Sequence, residues 1–371
     1  MRAVVKVAPG PGCEYVLDRE ELELGSGQVR IEVAAASVCG SDAAFFQSGY
    51  AGGDVSMTFP RTMGHEVGGV VVEAGPHTAG IEVGMPVAVE THLHCGECFS
   101  CLSGDGHNCA RLELLGVTVD GAFAERFVVQ ARSCFVLPDE IDPKVAALLE
   151  SAGSAMHAML RSGVNLAGAS VLVSGAGPVG MVAAQVADAL GARRVVMVEP
   201  NAYRRSMAQR FGAAIGTEAD PREAADSMTQ ARGGFDLALE CSGARPALAN
   251  ALEVVRREAT VVAVGLVKGE LPLDVSRTLI SRGITLRGSW GRSIWDTWHR
   301  LAALVVAGKV DLEGLITHRL PLNGLPQALD LMRGEAGKVL LDPSLPDSEP
   351  RAGSTIPSRP PTREALHQES D

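Results

Sequence analysis

Two hydrophobic rhythms divide the chain. In MRAVVKV (1–7) and QVRIEVAAASVCG (28–40), apolar and polar positions alternate, the period of a strand with one buried face. A Val- and Gly-rich pattern with frequent turn signals continues to about residue 150 and predicts a mostly β unit. From about 155 to 290 the rhythm changes to short uncharged runs with helical stretches between them. VLVSG, VVMVE, FDLALE, TVVAVG and ITLRGS read as buried strands, and AYRRSMAQRFGA as an intervening helix. That alternation predicts an α/β fold with a doubly wound parallel sheet. Residues 296–320 read as a helix and then a return to mixed structure. The end, SLPDSEPRAGSTIPSRPPTREALHQESD, has almost nothing to bury and reads as a disordered tail. The expected units are therefore 1–153, 154–293 and 294–344, with a tail at 345–371.

The stretch SVLVSGAGPVG (170–180) joins one buried strand to a helix through Gly175, Gly177 and Gly180, in the order G-x-G-x-x-G. Pro178 stands where a first helical residue needs no N–H. Val179, Val182, Ala183, Val186 and Leu190 then repeat at helical spacing. Such a turn lets backbone approach a pyrophosphate, which rests on the free N–H groups of the helix N-terminus. Glu199 ends the next strand, about 20 residues on, where an acid accepts from ribose hydroxyls. The context on both sides predicts a dinucleotide site.

Composition narrows the partners. At 371 residues and 46% hydrophobic, the chain can bury two cores. A net charge of −11 without a basic run disfavours nucleic acid. Residues 162–187 carry no charge and are long enough to span a bilayer, yet they contain the Gly turn, Pro178, Asn165 and Gln185. A buried strand–helix unit explains them better than a membrane span. The first residues lack the apolar core of a secretory signal, so a cytoplasmic protein is expected. There, cysteines suggest metal or catalysis before disulfides.

In ETHLHCGECFSCLSGDGHNC (90–109), Cys95, Cys98, Cys101 and Cys109 are spaced C-x2-C-x2-C-x7-C. Four thiolates close a tetrahedral zinc site of structural type. An iron–sulfur cluster is the rival reading, and the long last spacing in a Gly- and His-bearing lobe favours zinc. Cys39 in VCGSD, His65 and Glu66 in GHE, and Glu150 in the apolar LLESAGSAMHA are separately weak. One thiolate, one imidazole and carboxylates would suit a catalytic zinc with an open position, but spacing alone does not group them. Cys13, Cys134 and Cys241 are isolated and receive no role.

In this order, those residues resemble the zinc-dependent medium-chain dehydrogenase/reductase superfamily. The similar motifs are CGSD (39–42), GHEVGG (64–69), VETH with CGEC (89–98), GAGPVG (175–180), EP (199–200), GR and TW in GSWGRSIWDTW (288–298), ITHR (316–319) and GKV (337–339). They span about residues 1–342 and lie nearest the branch that oxidises L-threonine. The resemblance implies a GroES-like catalytic domain with a structural-zinc lobe at 90–110, a Rossmann domain, two zinc ions, NAD, and commonly a homotetramer. By position, Cys39, His65 and Glu66 would hold the catalytic zinc, with Glu150 a direct or water-linked fourth ligand. Ser41 would hydrogen-bond the substrate alcohol, and Asp42 would orient the zinc-bound histidine. His92 would lie near the zinc, and Arg292 would grip a carboxylate on the substrate. Gly175, Gly177, Pro178, Val179, Gly180, Glu199, Arg204, Gly265 and Leu266 would line the cofactor. L-threonine or a similar β-hydroxy amino acid is the expected substrate, with a polyol, diol or aminocyclitol as the alternative and a non-catalytic NAD-binding protein as a remote one. Two positions depart from the family pattern: Ala44 replaces a usual histidine, and ESAGSA replaces E-P-x-G-N-A, with Ser151 for Pro and Ser154 for Asn.

Overall fold

In the computed structural model, the described residues are 1–349 apart from 53, 54, 79, 212–220, 223, 224, 226–232 and 268. The tail expected at 345–371 therefore lies outside the described residues from position 350 onward, as do the last two positions of AYRRSMAQRFGA.

A seven-stranded sheet is built around β1 (Gln28–Ser37), whose inner positions alternate in burial as its sequence does. Its antiparallel neighbour β2 (Glu66–Ala74) pairs in turn with β3 (Pro86–Val89). Strands β4 (Arg126–Gln130) and β5 (Cys134–Val136) extend this sheet on β1 and β3. Between β1 and β2, the short helix α1 (Gly40–Ser48) starts directly after Cys39.

Helix α2 (Leu149–Arg161) then runs unbroken through 153–154, where the sequence suggested a boundary. An uncharged buried strand, β6 (Ser170–Ser174), opens the second sheet and leads through the glycine turn into α3 (Pro178–Ala189), with Pro178 at the first helical position. The following elements are β7 (Arg194–Val198), α4 (Ala202–Arg210), β8 (Phe235–Glu240), β9 (Val255–Ala263) and β10 (Thr285–Gly288). The strands lie in the order β7-β6-β8-β9-β10, all parallel, so among the described residues the second unit is the α/β sheet expected. One core packs α2, α3 and α5 (Asp296–Val306) together, with Met156, Met181 and Trp298 fully buried. Last, β11 (Ile316–Leu320) and β12 (Lys338–Leu341) rejoin the first sheet. β12 pairs with β1, so that Ser37 faces Glu66 on one side and Leu340 on the other. This register brings residues from three distant stretches to one end of the sheet.

Candidate active site

Cys39 lies between β1 and α1, and His65 and Glu66 lie at the start of β2. One ligand atom from each falls within 4.8 Å of the other two. Asp42 fixes two of these parts at once. Its Oδ2 accepts the Cys39 N–H at 2.8 Å, closing a capping box on α1, and its Oδ1 lies 3.4 Å from His65 Nδ1. That leaves Nε2 for a metal, with Ser41 Oγ 3.3 Å away from it. Thr91 Oγ1 donates to the His65 carbonyl at 2.7 Å and anchors the backbone. Glu66 is fully buried; its Oε2 accepts from Lys338 Nζ and from Ser151 Oγ, while its Oε1 has no hydrogen-bond partner. A thiol, an imidazole and a carboxylate within 4.8 Å of one another, with one carboxylate oxygen left unpartnered, fit a divalent metal.

Beside this set lies a second buried group. Glu90, His92 and Glu150 also place one ligand atom each within 4.8 Å of one another. Glu150 thus groups with Glu90 and His92 rather than with Cys39, His65 and Glu66. The charge that serves this group is Arg292, which is 1% exposed. Its Nη1 donates to the Glu150 carbonyl at 2.6 Å, its Nη2 bonds Glu150 Oε1, and its Nε lies 3.5 Å from Glu90 Oε2. Gly153 makes room for it, because a Cβ there would meet Arg292 Cδ at 2.8 Å. The guanidinium expected to grip a substrate carboxylate is thus engaged here with Glu150 and faces Glu90. Glu90 further accepts His92 Nδ1 at 2.8 Å and Trp298 Nε1 at 2.8 Å. Burial alone would raise the Glu90 carboxyl, but Arg292 and His92 outweigh it and hold the group at about 2. Ala44 lies on α1, and its methyl group has no donor or acceptor to stand in for the usual histidine.

The four-cysteine lobe is equally well formed. Sγ–Sγ separations are 3.5 Å for Cys98–Cys101, 3.8 Å for Cys98–Cys109 and 3.9 Å for Cys95–Cys101. Four sulfurs at about 2.3 Å from one tetrahedral centre lie roughly 3.8 Å apart, so a single zinc fits. Thiolates on separate irons of a cluster would stand farther apart. Backbone N–H groups of Cys95 and Arg111 donate to Cys109 Sγ, each at 3.3 Å. The Glu97 N–H draws Cys95 down to about 5 and the Cys101 N–H lowers Cys98, whereas burial pushes Cys101 up to about 11.

At the cofactor turn, the glycines are sterically required. Gly175 has φ +97°, and a Cβ on Gly180 would lie 1.9 Å from the Gly175 carbonyl oxygen. Gly177 faces open space. Glu199 Oε2 accepts the Ala176 N–H at 2.9 Å, and its Oε1 accepts Asn201 N–H at 2.9 Å and Arg204 Nη2 at 3.3 Å. Gly265 packs on Gly243, where a Cβ would meet nitrogen at 2.2 Å, and Leu266 beside it is exposed. Pro178 and Val179 open α3 next to the glycines.

Family models for an alcohol dehydrogenase GroES-like domain and a zinc-binding dehydrogenase match residues 25–139 and 178–307. L-threonine 3-dehydrogenase of Pyrococcus horikoshii is 38% identical over 92% of this chain and 98% of its own length. The chain belongs to the zinc-dependent medium-chain dehydrogenase/reductase superfamily. Its Bacillus velezensis relative, also an L-threonine 3-dehydrogenase, is 37% identical over 86% of this chain and 92% of that protein. Among solved structures, galactitol-1-phosphate dehydrogenase from Escherichia coli superposes with a TM-score of 0.82 at 28% identity, covering 92% of this chain and all (100%) of that one. A putative zinc-binding dehydrogenase from Sinorhizobium meliloti, bound to NADP, gives 0.82 at 26% over 92% and 99%. For this superfamily member, the chemistry is zinc-dependent alcohol oxidation with a nicotinamide cofactor. Among the described residues, no helix is long and apolar enough to cross a membrane.

Sequence reasoning left Lys338 and Glu90 without roles, although both stood in quoted motifs. The available signal was a charge at the edge of an uncharged run, as in PVAVE and KVLL.

Proposed function

We propose that this superfamily member oxidises the secondary hydroxyl of L-threonine, or of a similar β-hydroxy amino acid, with transfer of hydride to NAD. The observation that carries the reading is the convergence of Cys39, His65 and Glu66 in a chain whose threonine-oxidising relatives align almost end to end. A bound zinc would supply Lewis acidity to the alcohol oxygen, and the nicotinamide would take up the hydride. Cys39, His65 and Glu66 would hold that zinc, and Cys95, Cys98, Cys101 and Cys109 a second, structural one. Ser41 Oγ, beside His65 Nε2, receives the alcohol proton and passes it outward. Asp42 keeps the imidazole in the tautomer that leaves Nε2 free. Glu150, held by Arg292, borders the substrate space or reaches the metal through water. With threonine, the product is 2-amino-3-oxobutanoate, with one hydride moved to NAD and one proton released.

NAD is preferred to NADP because the Glu199 carboxylate would repel a 2′-phosphate, and Arg204 is already paired with it. A polyol is the second reading. It is favoured by the engagement of Arg292 with Glu150 and Glu90, which removes the expected partner of a substrate carboxylate. In this reading the catalytic unit comprises 1–153 with 294–344, the cofactor unit is 154–293, and the protein works as a cytoplasmic homotetramer. Initial rates with NAD against β-hydroxy amino acids, diols and polyols test it. Turnover of a polyol with none of threonine would replace the first reading by the second.

A further inference from the structure

Lys338 is 4% exposed, and Ser151 is buried in the first turn of α2. An ammonium is costly to bury without a partner. Here the partner is Glu66, from the strand on the other side of β1. Ser151 Oγ reaches the same oxygen, Oε2, at 3.3 Å, sharing its proton with the Leu148 carbonyl, also at 3.3 Å. The other oxygen of Glu66 is buried and unpartnered. The two donors thus divide the carboxylate into a held oxygen and a free one.

This division matters for a metal held by Cys39, His65 and Glu66, the reading on which the inference rests. A carboxylate with both oxygens free can chelate through both. With one sulfur and one nitrogen, that would make four protein donors, and water or substrate could then enter only as a fifth. We propose that Lys338 and Ser151 are positioning residues that pin Oε2 of Glu66, so that the carboxylate meets the metal through Oε1 alone and one coordination position stays open. The serine is this chain's own contribution, because the proline usual at position 151 has no hydroxyl to donate.

Cobalt(II) replacing zinc tests this in the whole protein. The Cys39→Ser spectrum isolates the four-cysteine site, and its subtraction from the wild-type spectrum leaves the Cys39 site. Wild type should show a Cys39-dependent thiolate-to-cobalt band and the strong visible bands of four-coordination. In Lys338→Met the thiolate band should persist and the visible bands weaken as the fifth donor enters. Metal release to a chelator should then slow, because two oxygens of Glu66 rather than one must leave the metal. Lys338→Arg should restore both, and Ser151→Ala and Ser151→Pro should shift both part-way. Ser151→Ala removes a single hydroxyl and carries the test alone should Lys338→Met fail to fold. Unchanged visible intensity and release rate beside an intact thiolate band would overturn the pinning. A spectrum in which Cys39→Ser removes nothing would instead overturn the metal-site reading, and the pinning with it.

Discussion

Replacing Arg292 by methionine removes the cation between two buried carboxylates while keeping much of its apolar stem. Glu90 is 0% exposed and Glu150 7%, so neither can turn to water. Breaking a buried pair in this way costs about 3–5 kcal/mol, because the stranded charge keeps its desolvation penalty. At about 2–4 °C per kcal/mol, the melting temperature should fall by about 10 °C. Lysine carries the charge but not the fork that reaches the Glu150 carbonyl, the Glu150 carboxylate and Glu90 together, so Arg292→Lys should fall between the two. Adding Glu90→Gln to the methionine variant removes one stranded charge and should recover about half of the loss, a non-additivity expected of groups in contact. The assay is denaturant and thermal unfolding of the four proteins with zinc content matched, alongside kcat/KM on charged and neutral alcohols. The reasoning is refuted if Arg292→Met loses less than about 1 kcal/mol and slows only carboxylate-bearing substrates. That pattern would return the guanidinium to the substrate.

Elemental analysis of the purified protein should find two zinc ions per chain, and a mild chelator should strip the open Cys39 site first, abolishing activity while the four-cysteine lobe and the fold persist. One zinc per fully active chain would contradict this. Gly180→Ala should weaken NAD binding and destabilise by more than about 2 kcal/mol, because its Cβ meets backbone at 1.9 Å, whereas Gly177→Ala should fold normally; fluorescence titration and melting curves separate the two. Glu199→Ala should shift the ratio of efficiencies towards NADP by more than tenfold, since a like-charge clash of several kcal/mol is removed. Equal use of both cofactors by the wild type would defeat that argument. His157 is lowered to about 4, chiefly by burial and next by His107. The unfolded state then binds the proton that the folded state refuses, so stability should fall by roughly 2–3 kcal/mol from about pH 6.5 to pH 4. His157→Gln, whose oxygen can still accept the Ser293 N–H, should flatten that slope in unfolding measured across the window.

What could be read from the sequence was whatever depends on short spacing. The glycine turn, the four-cysteine lobe and the two hydrophobic rhythms each lie within a few consecutive residues, where local geometry constrains the answer. Cys39, His65 and Glu66 could be grouped by resemblance alone, because their meeting depends on the register of β1 against β2. Arg292 was noticed, yet spacing cannot say where a guanidinium points. A more general cue was present in the chain. Glu150 stood out as a charge in an apolar stretch, and the same test applied to Glu66, Glu90 and Lys338 marks them equally. A charge that must be buried demands an opposite charge, so such positions predict one another. Lys338 answers Glu66, and Arg292 answers Glu90 and Glu150. Asp42 is buried too, and Cys39 as a thiolate would add a further negative charge. At this end of the sheet the buried anions therefore outnumber the buried cations that face them, and a divalent metal is the charge that would redress the balance.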